Sequence, residues 1–438
     1  MRVVIELRPS PEILSTASGS AAGISATELT GELPGFVLDS GFSPVTLPPA
    51  AQAVADTAQP GTGSYLVRGE IPDGDRAARE ALAGSAGVTG VFADPVIEPV
   101  RTCGDDGAVG DWNTVAELLG RVELTAAGLT GEGVAVAVLD SGINAAKVRA
   151  ASGAEITIDP ARSWNPAGVT GTAGEFAVGH GTMCAFDALI AAPRATFLDI
   201  PLLQSSRTGG SEMDGLLSDA LAAFAYLRTV LTQQPAERRA LVVSNSWGAF
   251  SPQWDFPVGD PGNYSDNPGH PFNVIVGSLD AAGADILFAA GNCGRDCPDG
   301  RCAYPERPIT GANSHPNVLS VAGVDTGGQR VGYSSQGPGR LADRKPDICS
   351  YTHFLGSTAF GAEVPDTGTS ASCPVLAGVV AAFRTKWPAT RIPPARLREL
   401  LHRTAADRGG AGFDHDHGYG VAEPRALLAE LQKAATRA

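Results

Sequence analysis

Ser370 follows Gly368-Thr369 and precedes Ala371-Ser372-Cys373-Pro374. A serine hydroxyl is a poor nucleophile at neutral pH and needs a base within hydrogen-bond reach. Pro374 is tolerated in the first turn of a helix, which predicts that Ser370 sits at a helix N-terminus. Free N–H groups and the helix dipole there favour a developing anion. His180, between Gly179 and Gly181, heads an apolar run that reaches Ile190, and the glycines let a backbone or substrate approach closely. Asp140 ends the run Val138-Leu139, and Gly142 turns the chain after it, which places an acid at a strand's carboxyl end. Asn292, after Ala289-Ala290-Gly291, carries an amide that donates without titrating and so suits an oxyanion. Taken singly, each has a plainer reading as a turn Asp, a helix-start His, an N-cap Ser or a turn Asn. Together the four, each at the end of a predicted strand or the start of a helix, are far more specific than apart.

These side chains must be carried by elements that end at them. Val134 to Leu139 is an apolar run of the kind found in a strand buried on both faces. Leu241 to Ser244, Ile286 to Ala290 and Val318 to Val324 read as further strands. Met213 to Leu231, Phe272 to Ala282, Ser370 to Trp387 and Glu423 to Ala434 read as helices. The alternation predicts an α/β fold, a mostly parallel sheet with helices on both faces and a site at the carboxyl ends of its strands. Before it, strands at Val3 to Leu7, Ser64 to Arg68 and Val88 to Phe92, with a helix at Asp73 to Leu82, predict a small α+β unit. Thr46 to Gly63 reads as a loop. The expected organisation is 1–100 for that unit, 101–110 for a Gly- and Asp-rich linker and 111–438 for the catalytic domain.

The order Asp140, His180, Asn292, Ser370 resembles that of the subtilisin-like serine proteases, the subtilases. The resemblance extends over roughly Asp111 to Leu431. It includes Ser244-Asn-Ser-Trp-Gly248, Pro316 to Asp325 and Gly418-Tyr-Gly420. It implies a serine endopeptidase acting on protein or peptide substrate. Ser370 would be the nucleophile, His180 the base, Asp140 its orienter, and Asn292 with the Ser370 N–H the oxyanion hole. Ser246, Trp247 and Gly248 would pair with extended substrate, although Trp247 reads equally well as core. Gly63 to Arg68 and Gly87 to Asp94 resemble a propeptide domain. That implies an intramolecular chaperone and inhibitor whose tail crosses the site and is cut between Ile97 and Gly110. A permanent accessory domain is the alternative. Ala371 stands where the family usually has Met, and Phe250 to Pro271 reads as an insertion that shapes substrate access. A peptide cyclase or transpeptidase would use the same acyl-enzyme, and a catalytically silent binding module would keep only the scaffold.

The chain has 438 residues, 43% of them hydrophobic, enough for a sizeable core. Its net charge of −15 argues against nucleic acid or an anionic membrane as partner. No apolar run approaches the roughly 18 residues of a membrane span. Met1 to Leu7 reads as a strand rather than a secretory leader, so the expectation is cytoplasmic, or secreted if a signal was removed. Of the 7 cysteines, Cys184 and Cys373 read as small buried side chains. Cys293, Cys297 and Cys302 leave three readings: one disulfide with a spare thiol, a zinc site, or reduced thiols near Asn292. Asp414-His415-Asp416-His417 reads as a solvated turn before a metal motif. The chemistry requires no cofactor, and a structural calcium ion is compatible without any loop to assign it to.

Overall fold

The structure is a computed structural model that describes residues 1–8, 33–47, 63–72, 76–103, 107–204, 213–304 and 306–437. The N-terminal sheet is built from β1 (Arg2–Leu7), β2 (Val37–Leu38), β3 (Val45–Leu47), β4 (Ser64–Glu70) and β5 (Val88–Ala93). Its order is β2-β4-β1-β5 with β3 also on β4, and every pairing is antiparallel. Helix Arg76–Ala83 drops Leu82 into a small core of Val3, Ile5, Leu7, Val67, Ile71 and Ala93. The predicted loop from Thr46 starts inside β3, and positions 48–62 lie outside the described residues, as do 73–75 of the predicted helix.

Short strand β6 (Val96–Ile97) leads into the second sheet, which has 7 strands. They are β7 (Ala135–Leu139), β8 (Thr157–Ile158), β9 (Thr196–Ile200), β11 (Leu241–Asn245), β12 (Asp285–Ala289), β13 (Leu319–Val324) and β14 (Ile348–Tyr351). The order is β14-β13-β12-β11-β7-β9-β8, all parallel. The period of two in a strand sends alternate residues to opposite faces. Val136 and Val138 of β7 join the core that holds helices His180–Ala191 and Thr369–Arg384. Ala135, Ala137 and Leu139 join the core that holds helices Leu217–Thr232 and Pro271–Ala281. Burial on both faces explains why β7, β11, β12, β13 and β14 read as continuous buried runs.

Two sequence expectations need correction. The predicted helix from Met213 begins only at Leu217, because Gly215–Leu216 is an extended strand, β10, paired with β6. Pro374 is not in the first turn either; it is the sixth residue of a helix that begins at Thr369. A proline there lacks the N–H that would bond the carbonyl four residues back. That carbonyl belongs to Ser370, and it accepts instead from Ser246 Oγ at 3.0 Å and Cys184 Sγ at 3.5 Å.

The insertion read as shaping substrate access docks the N-terminal sheet. Its Phe256 completes that sheet's core, and Arg79 reaches Asp260 at 3.0 Å and covers the Phe256 ring. Buried Asp255 organises the insertion by accepting the N–H groups of Phe256, Tyr264 and Ser265. A second contact lies at the start of helix Leu217–Thr232. Asp94 accepts Ser218 N at 2.8 Å, and buried Arg68 pairs with Asp219 at 2.6 Å and with Asp39 at 2.7 Å.

Candidate active site

Each candidate residue stands where a buried element ends. Asp140 is the residue after β7, and its N–H donates to Ile200 O at 3.0 Å. It is 1% exposed, and its carboxylate holds His180 Nδ1 at 2.8 and 2.9 Å and the Ser141 N–H at 2.7 Å. A carboxylate on Nδ1 fixes the imidazole tautomer that leaves Nε2 free to take a proton. His180 is the first residue of its helix, and one turn on, Cys184 Sγ lies 3.8 Å from His180 Nδ1 and 3.5 Å from Ser370 O. Burial, with Asp140 nearby, pushes the Cys184 thiol well above its ordinary pKa, so it stays neutral. The His180 and Ser370 helices meet backbone to backbone: a Cβ on Gly378 would lie 2.2 Å from Ala188 O. Cys184 and this crossing bring the two helix starts together.

Ser370 is the second residue of its helix and is buried. Its hydroxyl donates to Ser246 O at 3.4 Å, and among the described residues no hydrogen bond joins it to His180. Proton transfer requires that the hydroxyl leave Ser246 for His180 Nε2. Asn292 follows β12 by three residues, and its Oδ1 accepts Thr369 N at 2.9 Å. That bond orients the amide so that Nδ2 faces the cleft, where it donates to Val100 O at 2.5 Å. Gly368, with φ +78°, makes room for this: a Cβ would lie 2.9 Å from Asn292 Nδ2.

The cleft is occupied by the chain itself. Gly215 pairs with Ile97 and Leu216 with Val96 on one side. On the other, Glu98 N donates to Gly248 O at 3.2 Å and Gly248 N to Glu98 O at 3.1 Å. Residues 96–98 thus form the middle strand of a short antiparallel arrangement. Val100 fills an apolar nook with Phe250 and Cys293, edged by Trp254 and Cys302. Of the residues expected to pair with substrate, Gly248 pairs through its backbone and Ser246 braces Ser370. The Trp247 indole is core, tilted against Phe272 and edge-on to Phe288.

The cysteine cluster forms two disulfides, Cys293–Cys302 and Cys103–Cys297, so the partner that the single-disulfide reading lacked comes from the linker. Cys184, Cys349 and Cys373 are free and buried. The Asp414 to His417 stretch is a turn in which Asp414 accepts the N–H groups of Asp416 and His417.

One pair escaped the sequence reading. Asp187, in the apolar middle of the His180 helix, is fully buried, and no donor among the described residues reaches its carboxyl oxygens. It faces Asp366, four residues before Ser370, which accepts Ser357 N and Oγ at 2.5 Å each. Burial raises Asp366 to about 6, and burial with the neighbouring Asp366 charge raises Asp187 well above the carboxylate range. Two carboxyls so buried and so near each other are not both ionised, so Asp187 keeps its proton. The signal in the sequence was an acid standing alone among apolar residues from Met183 to Ile190.

A sequence model described as the subtilase family matches residues 131–420. Fervidolysin of Fervidobacterium pennivorans is 29% identical over 206 residues, 43% of this chain and 25% of its own length. Mycosin-1 of Mycolicibacterium smegmatis is 28% identical over 168 residues, 34% of this chain and 37% of its own. The matches thus span only about a quarter to a third of those relatives. The crystal structure of fervidolysin, described as a keratinolytic enzyme related to subtilisin, superposes with a TM-score of 0.61 at 18% identity. It covers 98% of this chain and 60% of that one.

Proposed function

The chain belongs to the subtilase family, and on that premise we propose that it is a serine endopeptidase whose first substrate is its own Val100–Arg101 bond. One observation carries this reading: the Val100 carbonyl already accepts from Asn292 Nδ2, while the residues before it are paired as a strand. That is where a scissile carbonyl must sit for its oxygen to be stabilised as it gains charge.

Ser370 Oγ attacks the Val100 carbonyl carbon as His180 Nε2 takes the hydroxyl proton. Asp140 holds the imidazole and offsets its positive charge. The oxyanion is stabilised by Asn292 Nδ2 and the Ser370 N–H at the helix start. The tetrahedral intermediate collapses by breaking the bond to Arg101 N, which receives the proton from His180. Asp299 Oδ2 accepts the Arg101 N–H at 2.9 Å and so positions the leaving group. Water, deprotonated by His180, then releases Val100 from Ser370. Residues 1–100 act as the inhibitor in this reading, 101–110 as the linker that is cut, and 111–438 as the catalytic domain.

The test is intact-mass analysis of the purified full chain after incubation. The expected products end at Val100 and begin at Arg101, and Ser370→Ala yields neither. Labelling of Ser370 by a fluorophosphonate follows the same course. A chain that remains whole and unlabelled overturns the reading. Products joined through a new amide would point instead to transpeptidation.

A further inference from the structure

The loop 293–302, closed on itself by Cys293–Cys302, sits against the occupied cleft and carries two charged side chains toward it. Asp299 receives the Arg101 N–H. Arg301 Nη1 meets Glu98 at 2.6 Å, two residues before the one whose carbonyl is attacked. Backbone pairing of Glu98 with Gly248 fixes which side chain arrives at Arg301.

Arg301 is held by groups of its own domain as well as by Glu98. Its Nε and Nη2 donate to Asp299 at 3.1 and 2.7 Å, and its guanidinium lies over the Phe250 ring at 5.0 Å. Only part of its fork is used on Asp299, which leaves Nη1 directed at the incoming side chain. Asp299 in turn is tied to the oxyanion residue, donating its N–H to Asn292 O at 3.1 Å. The Glu98 side chain is mostly buried, 13% exposed. Burial raises its pKa, and Arg301 opposes that rise. A neutral group at this place would leave Nη1 without its acceptor, and a cation would face Arg301 directly. Charge-assisted pairs with a fixed guanidinium are among the stronger hydrogen bonds, and like charges so placed are rejected.

We propose that Arg301 is a specificity-determining residue that selects an acidic side chain two positions before the residue whose carbonyl is attacked. The substrate class is then peptides of the pattern acid, any residue, small aliphatic residue, cut after the last. The inference rests on the endopeptidase reading and adds the substrate to it.

The experiment uses the self-processed enzyme and three peptides: Ile-Glu-Pro-Val followed by a chromogenic amide, and the same with Gln or Lys for Glu. The Glu peptide is expected to exceed the Gln peptide about tenfold in kcat/KM and the Lys peptide about a hundredfold. In Arg301→Gln the Glu-to-Gln ratio of kcat/KM falls to about one, whatever the absolute rates, and fluorophosphonate labelling of Ser370 together with an unchanged circular dichroism spectrum shows that the variant is folded. A ratio near one in the unaltered enzyme, or a preference that survives Arg301→Gln, overturns the inference and leaves the endopeptidase reading standing. Failure to cut any of the three peptides, with no fluorophosphonate labelling of Ser370, overturns both.

Discussion

The four side chains of the site are set by the ends of buried elements, whereas the segment lying across them is set by what it pairs with and by apolar surface it borrows. Asp140, His180, Asn292 and Ser370 stand at the ends of elements buried between two apolar cores, and their positions follow from where β7 and β12 stop and two helices start. Residues 96–103 have no core of their own. They are held by edge pairing to Gly215, Leu216 and Gly248, by ion pairs, by one disulfide, and by Ile97 and Val100, which they bury in apolar surface supplied by the larger domain. The N-terminal sheet behind them is similar: it borrows Phe256 to complete its core, lays Val4, Val45, Leu47 and Leu66 on the core of helix Leu217–Thr232, and anchors through Arg68 and Asp94. On the proposed function the occupant is detachable and the site is not, so disturbances of the site should alter chemistry and those of the occupant release.

Ser370→Ala tests the first half most severely. Self-cleavage and peptide hydrolysis should fall on the order of 10⁴- to 10⁶-fold, with the fold kept, read by intact mass and circular dichroism. Arg68→Ala tests the second half. Removing this buried cation breaks its ion pairs with Asp219 and Asp39 and takes a positive charge from beside Asp94, which weakens docking by about 3–5 kcal/mol. Limited proteolysis of residues 1–100 should accelerate while the turnover of the processed enzyme stays unchanged. If turnover falls with it, the two halves are not separate. Asn292→Ala removes one oxyanion donor and should lower kcat about 10²- to 10³-fold with KM little altered, measured by steady-state hydrolysis.

The smallest effect concerns how the His180 and Ser370 sides are joined. Asp187 and Asp366 are both raised above the ordinary carboxylate, Asp366 to about 6, so the stability their protonation contributes is full below about pH 4 and falls as pH rises through 6, where Asp366 ionises beside Asp187. Asp187→Asn gives Asp366 a permanent donor. Denaturant titrations at pH 4 and pH 8 should then show a difference in unfolding free energy smaller by about 1–3 kcal/mol than in the parent.

Much of this was legible in the sequence because burial on both faces writes a plain signal. β7, β11, β12 and β13 are continuous apolar runs, and the chemistry-bearing residues follow where they end. β9 was not recognised, since Asp199 interrupts its apolar run; that carboxyl is buried to accept the Ile143 and Gly174 N–H groups, and burial raises it to about 7. Partnerships over distance were not legible. Nothing near Cys103 announces a partner 194 residues away. Gly215–Leu216 looks like the start of a helix until β6 arrives to pair with it. Pro374 sits deeper in its helix than a local rule allows because Ser246, from another strand end, satisfies the carbonyl it strands.

The placement of Cys103 decides what kind of event a cut would be. It lies beyond the Val100–Arg101 bond and bonds Cys297, so the disulfides found among the described residues all belong to one side of the break. A folded single chain would become two molecules, and occupancy of the cleft would pass from a fixed property to one governed by mass action. Diluting the processed protein would then itself switch it on, to an active fraction that rises as concentration falls and drops again when purified residues 1–100 are added back.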